Sequence, residues 1–170
     1  MSNLEEKELQ EVFLAIGELV LFASTLDDLL SKAVICVLGL GKNPMLLPVI
    51  ATLDPSRKIE ILKEWSHHIK KTEWKNELKM FTEKSEFVFK YRNIACHSQP
   101  VRIKGKWCLI GASAAKKLKG LKSDKSGLAS VSILDLRKAI ENGVAAHAAG
   151  ENVISNYQRV DEERVKKFGK

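Results

Sequence analysis

The stretch LQEVFLAIGELVLFASTLDDLLSKAVICV, Leu9–Val37, decides the fold. Within it Leu9, Val12, Ile16, Leu19, Ala23, Leu26, Leu30, Ala33 and Val37 alternate steps of three and four. That spacing keeps one apolar stripe on one side of a helix whose period is about 3.6 residues. The stripe predicts a helix from Leu4 to Leu38, stopped by Gly39 and Gly41. A stripe this long needs a partner helix beside it, from the same chain or from a second copy.

Working outward, Asn43-Pro44 reads as a helix start, with Asn as cap and Pro in the first turn. A short helix to Leu53 follows, and Asp54-Pro55 repeats the signal. Ile59, Leu62 and Ile69 mark an amphipathic helix to Lys70, with Trp65 on its flank. Thr72 caps the next helix, which carries Trp74, Leu78, Phe81, Phe87, Val88 and Tyr91 and ends near Ser98 because Pro100 blocks continuation. Val101–Ile110 then alternates apolar and polar residues around Gly105-Lys106, the pattern of a short β-hairpin. Gly111–Ser130 reads as a mobile basic loop with a short helical piece at Ala114–Leu118. Ser132 and Asp135 form a variant capping box for a last helix faced by Ile133, Leu136, Ile140, Val144 and His147. That helix runs to Tyr157 or beyond, and the charged tail from Asp161 is open to fraying. The expected fold is all-α: one domain, an up-and-down bundle of four or five helices with a small hairpin inserted before the last.

The chain has 170 residues, 45% of them hydrophobic and 29% charged, which suits one soluble domain with a single core. The longest uninterrupted apolar run, Ala33–Leu40, is far short of the ~18 residues of a membrane span. The acidic start, Met1–Glu11, lacks the basic and apolar regions of a secretory signal, so a cytoplasmic location is expected. Cys36, Cys96 and Cys108 make a poor disulfide framework, and neither C-x-x-C nor H-x-x-x-H spacing occurs to suggest zinc. Cys36, within an apolar stretch, is expected as a core thiol. No metal and no cofactor are expected.

The net charge of +7 is concentrated. Between Val101 and Lys125 stand Arg102, Lys104, Lys106, Lys116, Lys117, Lys119, Lys122 and Lys125, opposed only by Asp124, and the rest of the chain sums to zero. Such a segment suits a polyanion, because binding phosphates releases counterions. A lysine-rich solvated loop is the plainer alternative.

The chemistry-bearing string is Tyr91-Arg92-Asn93-Ile94-Ala95-Cys96-His97-Ser98. Asn93 and His97, four apart, share a helix face. Arg92 lies about 140° round from His97 by helical geometry, within reach of the same region through its long side chain. A guanidinium grips phosphate with two prongs, and an imidazole passes protons near neutral pH. Such a set suits metal-free RNA cleavage: a base frees the 2′-hydroxyl to attack phosphorus, the Arg stabilises the charge on the phosphate oxygens, and an acid protonates the leaving 5′-oxygen. One His and one Arg are a thin set, and a two-fold dimer would supply a second. Alternatively, an Arg and a His near a helix end simply cap carbonyls and complement the dipole.

Arg-Asn-x-x-x-His at the end of a late bundle helix resembles the signature of HEPN (higher eukaryotes and prokaryotes nucleotide-binding) domains, with Arg92, Asn93 and His97 at the matching positions. Ile16-Gly17-Glu18-Leu19-Val20 and Leu26-Asp27-Asp28-Leu29-Leu30 resemble that family's opening helix, so the likeness covers Leu9–Ser98. The resemblance implies a helical bundle that dimerises with both motifs at the interface. It implies an endoribonuclease leaving a 2′,3′-cyclic phosphate, with RNA or a nucleotide as ligand. It also implies roles in toxin–antitoxin systems, defence or RNA processing, with an antitoxin protein as a further partner. Other members of the family bind nucleotides, RNA or proteins without cleaving, so a binding module is the alternative. On this reading Arg92, Asn93 and His97 are the catalytic residues, and Arg102, Lys104, Lys106, Lys116, Lys117 and Lys119 gather RNA.

The remaining candidates read more plainly. His67 and His68 are adjacent, point about 100° apart and make a poor metal pair. His147 is expected as a core histidine. Asp27 and Asp28 are candidates to support an active-site Arg across the bundle, with Asp27 reading equally as a surface carboxylate. Trp107 is expected to pack on the bundle rather than stack on a base.

Overall fold

The computed structural model describes residues 3–111 and 130–168. It is mostly helical, with α1 (Asn3–Val37), α2 (Leu47–Thr52), α3 (Pro55–Ser66), α4 (Thr72–Cys96) and α5 (Ile133–Phe168). Strands β1 (Ser98–Ile103), β2 (Lys106–Gly111) and β3 (Ser130–Ser132) stand between α4 and α5. The backbone divides into two compact units, Met1–Ala23 with Phe87–Asn142 and Ser24–Glu86 with Gly143–Lys170.

The stripe on α1 is buried at Val12, Leu19, Ala23, Leu26, Leu30, Ala33 and Val37. The helix ends where expected. Leu38 N–H donates to the Val34 carbonyl and Gly39 N–H to that of Cys36, with Gly39 left-handed at φ 65°. By length and composition α1 is also apolar enough to cross a bilayer, since one window of it reaches a mean hydropathy of 1.6 with 28% of that window buried. Counting uninterrupted apolar runs missed this, because one or two carboxylates interrupt the run without lowering the average much.

Several helix boundaries differ from expectation, α3 among them, which ends at Ser66 rather than Lys70. The segment after Asn43 is a 3-10 turn, Pro44–Leu46, before α2 begins, and Asn43 makes no side-chain cap. Pro48 explains the break, since its ring would clash with the carbonyl four residues back in a continuous α-helix. At the other end of the chain α5 stays helical through Phe168, with Lys166 and Lys167 in its last turn complementing the dipole. Asp54 does cap α3, accepting from Arg57 N–H at 3.0 Å.

In the second unit the helices meet through small residues. A Cβ built on Gly150 would stand 2.5 Å from Leu29 Cδ2 and 2.8 Å from the Phe81 ring, so α5 approaches these side chains as only glycine allows. Ala146, Ala149, Val153 and Ile154 continue the buried face, whereas Val144, expected in the core, is exposed. Apolar size misled there, because the inward positions of α5 are occupied by alanine and glycine. His147 is half-buried rather than in the core, as is Cys36.

Lys58 on α3 is among the largest fully buried side chains, and its ammonium donates to Asp27 Oδ1 of α1 at 2.6 Å. Asp27 is therefore neither a support for an active-site Arg nor a plain surface carboxylate. Trp65 Nε1 donates to Tyr157 Oη at 2.8 Å, and Asn156 Nδ2 to Glu77 at 2.8 Å, tying α5 to α3 and α4.

Two stability outcomes follow. Gly150→Ala is expected to lose about 1–3 kcal/mol despite alanine's better helix propensity, because overpacking a filled core costs that much; an unchanged urea midpoint would contradict the close approach. Asp27→Asn is expected to lose about 1–3 kcal/mol by leaving the Lys58 ammonium buried without its counter-charge. Lys58→Met is expected to stay within about 1 kcal/mol of the parent, because a buried pair replaced by an apolar side chain often breaks even. Thermal and urea unfolding of the three variants check the asymmetry.

Candidate functional site

The end of α4 and the sheet that follows belong to the first unit. Val88, Phe89, Tyr91, Ile94 and Ala95 are buried and anchor the last turns of α4. The positions between them face outward: Lys90, Asn93, Cys96 and His97 are exposed. The helix closes at Cys96 with His97 N–H donating to the Ile94 carbonyl at 3.2 Å, and Ser98 already begins β1. His97 thus stands at the helix-to-strand junction, one step beyond the last helical residue, rather than within a helix reaching Ser98. The strand competes for this backbone, since Ser98 pairs with Gly111.

Arg92 is half-buried, and its guanidinium carbon lies 5.6 Å from the centre of the Phe89 ring. The ring face attracts the cation and supports it from one side. Among the described residues no carboxylate pairs with Arg92, and no hydrogen bond joins Arg92, Asn93 and His97 to one another. The guanidinium therefore retains its capacity for an anion there. Lys90 was not singled out from the sequence, yet 90, 93 and 97 follow the three-and-four spacing of one face. That spacing was the available signal.

Tyr91 is packed against Phe87, ring centres 4.6 Å apart. Burial pushes its hydroxyl above the ordinary value of 10.0, and the Asp135 carboxylate raises it further. Asp135 itself is held by the capping box expected at the start of α5: its N–H donates to Ser132 Oγ at 3.2 Å, and its Oδ2 accepts from Ser132 N–H at 2.9 Å.

The sheet has order β1-β2-β3, antiparallel throughout. Its hairpin turns at Lys104-Gly105, with φ of 48° and 78°, one residue earlier than expected. Two consecutive left-handed residues suit a tight two-residue turn, and glycine is needed at only one of them. Strand β3 was not foreseen, since three residues leave too little pattern to read. Of the residues expected to gather RNA, Lys104 and Lys106 are exposed, while Arg102 is committed to an ion pair with Glu5 of α1. Lys116, Lys117 and Lys119 lie outside the described residues, as do the Ala114–Leu118 helical piece and most of the basic loop. Trp107 is half-buried in β2, and its indole N–H has no acceptor among the described residues.

Elsewhere, α3 borders an open groove of about 500 Å³ with Leu38, Leu53, Ile61 and Trp65 as its apolar lining and Glu60, Glu64 and His68 among its polar residues. None of Arg92, Asn93 and His97 lines it. His67 and His68 are both exposed, and His68 lies against Trp65 at 5.9 Å.

No family model matches the chain, and no curated protein or solved structure matches it.

The alkaline limb of stability reports on Tyr91. Its pKa is raised in the folded state, so the native chain holds this proton more tightly than the unfolded chain. The stabilisation is full below the unfolded value of about 10 and is lost as pH rises through the folded value. Urea midpoints measured from pH 8 to 11 are expected to fall above pH ~10, and to fall less steeply in Tyr91→Phe.

Proposed function

We propose that this chain is an endoribonuclease of HEPN type that acts at the end of α4. The observation that supports the reading is the surface there: an exposed amide and an exposed imidazole beside a ring-supported guanidinium with no carboxylate partner among the described residues.

In this mechanism Arg92 holds the scissile phosphate and stabilises the charge that builds on its non-bridging oxygens. Asn93 orients the phosphate or the imidazole. His97 moves the proton. As base it takes the proton of the 2′-hydroxyl, whose oxygen then bonds to phosphorus while the bond to the 5′-oxygen breaks; as acid it supplies the proton that the leaving oxygen needs. The products are a 2′,3′-cyclic phosphate and a free 5′-hydroxyl, and the nucleophile is supplied by the RNA itself. Two copies of the chain, each with one Arg92 and one His97, divide the acid and base roles between them. Lys90, Lys104 and Lys106 add charge that draws the RNA backbone.

The test is incubation of a mixed RNA with the purified chain in EDTA. Fragments ending in a 2′,3′-cyclic phosphate are expected. His97→Ala is expected to slow their formation by about 10²–10⁴-fold with no change in melting temperature, the usual scale for losing a general acid or base. Equal background from parent and variant overturns the proposal. Salt-dependent RNA binding without product identifies a binding module instead.

A further inference from the structure

The groove beside α3 takes no part in the RNA chemistry proposed above. One wall of it is a single face of α3 and the residues just past its end: Arg57, Glu60, Ile61, Glu64, Trp65 and His68. They recur at steps of three and one, as residues sharing a helix face do. Leu38 and Leu53 complete the lining, and every lining residue belongs to the second unit. The opposite side of α3 carries the buried residues Lys58, Ile59 and Leu62.

Trp65 gives the groove a fixed ring. Its indole N–H already donates to Tyr157 Oη at 2.8 Å, so the ring is held and its one donor is taken. What remains for a ligand is π surface. His68 adds a second ring, 5.9 Å away and tilted by 55°, so the two rings meet at an angle rather than stack. Charge comes from the carboxylates. Arg57 is answered by Glu60 at 2.9 Å. The Glu64 carboxylate is exposed and has no ion-pair partner among the described residues. The groove thus combines apolar walls, two rings and one unanswered negative charge.

Size and charge select the occupant. A volume of about 500 Å³ falls within the ~300–1,000 Å³ of small-molecule sites. A stable protein partner would call for roughly 20–30 residues on this side, far more than line the groove. A phosphate or a fatty acid would bring its negative charge against Glu64 and against a ring whose face is itself negative. An organic cation is attracted by both, by the carboxylate through its charge and by the ring through its quadrupole.

We infer that this groove binds a small organic cation with an apolar body, of the alkylammonium kind. Its charged end lies at Glu64 and Trp65, and its apolar part covers Leu38, Leu53 and Ile61. None of the groove residues enters the RNA chemistry, so a chain that leaves RNA intact tests this site equally well.

The full chain is titrated calorimetrically with octyltrimethylammonium, octyl glucoside and octyl sulfate, each below its micellar limit. The ammonium is expected to bind saturably, about three- to thirtyfold more tightly than the glucoside, the scale of one exposed cation–π contact and one exposed ion pair together. The sulfate is expected to bind least. Glu64→Gln is expected to lower the ammonium-to-glucoside ratio by about two- to fivefold. Trp65→Leu is expected to lower it by about two- to fivefold, and Trp65→Phe, which retains a ring face, to preserve most of it. Looser packing at Trp65 would shift both ligands alike and leave the ratio unmoved. Should Trp65→Leu fail to fold, Glu64→Gln, at an exposed position, carries the test alone. Equal affinity for the three amphiphiles overturns the proposal, as does an ammonium that never saturates or a ratio that ignores Glu64→Gln. Tightest binding of the sulfate overturns it in favour of an anionic ligand.

Discussion

The close approach of α5 to Leu29 and Phe81 at Gly150 is the constraint on which the second unit depends. With no side chain at that position, the backbone of α5 can come near enough for Ala146, Ala149 and Val153 to be buried beside it. Small residues make poor hydrophobic anchors by themselves. They contribute by letting larger side chains on the neighbouring helices be covered, and dispersion falls off within a fraction of an ångström of a gap. Once α5 is at that distance, Tyr157 reaches Trp65 and Asn156 reaches Glu77. The buried Lys58–Asp27 pair fits the same picture. An ammonium taken out of water needs a fixed partner, so the pair dictates how α3 lies on α1 more than it stabilises either helix.

In the first unit the corresponding constraint is the change from helix to strand after Cys96. The buried residues Tyr91, Ile94 and Ala95 hold the last turns of α4, so the positions between them are left facing out. β1 pairing then begins at Ser98, which leaves His97 between two hydrogen-bonded systems. The His97 side chain is exposed at that junction. Phe89 gives Arg92 a ring to rest on while leaving the rest of the guanidinium for an anion. The commitment of Arg102 to Glu5 divides the basic residues of the sheet into one that fixes strand to helix and two, Lys104 and Lys106, that face outward.

α1 presents two faces of different character. The inner stripe is covered by the chain itself. The outer face mixes exposed leucine with glycine, serine and charged residues. The same exposed leucines give α1 the mean hydropathy of a membrane-crossing segment. Carboxylates at Glu6, Glu18 and Asp28 lie among them.

The helical order, the α1 stripe, the Gly39 stop, the Asp54 cap and the Ser132–Asp135 capping box were all legible in the sequence. Each depends on residues close in the chain, where periodicity and local hydrogen bonding act directly. Arg92, Asn93 and His97 also stand close together in the sequence, but among the described residues no hydrogen bond joins them. What needed tertiary structure were the features set by partners distant in sequence. These are Lys58 buried on Asp27, Gly150 against Leu29 and Phe81, Val144 turned outward, and Arg102 taken by Glu5. They also include the short strand β3, which forms only because β2 offers it an edge. A side chain's type states what it is able to do; which partner reaches it first is decided when the helices come together, and no local pattern carries that information.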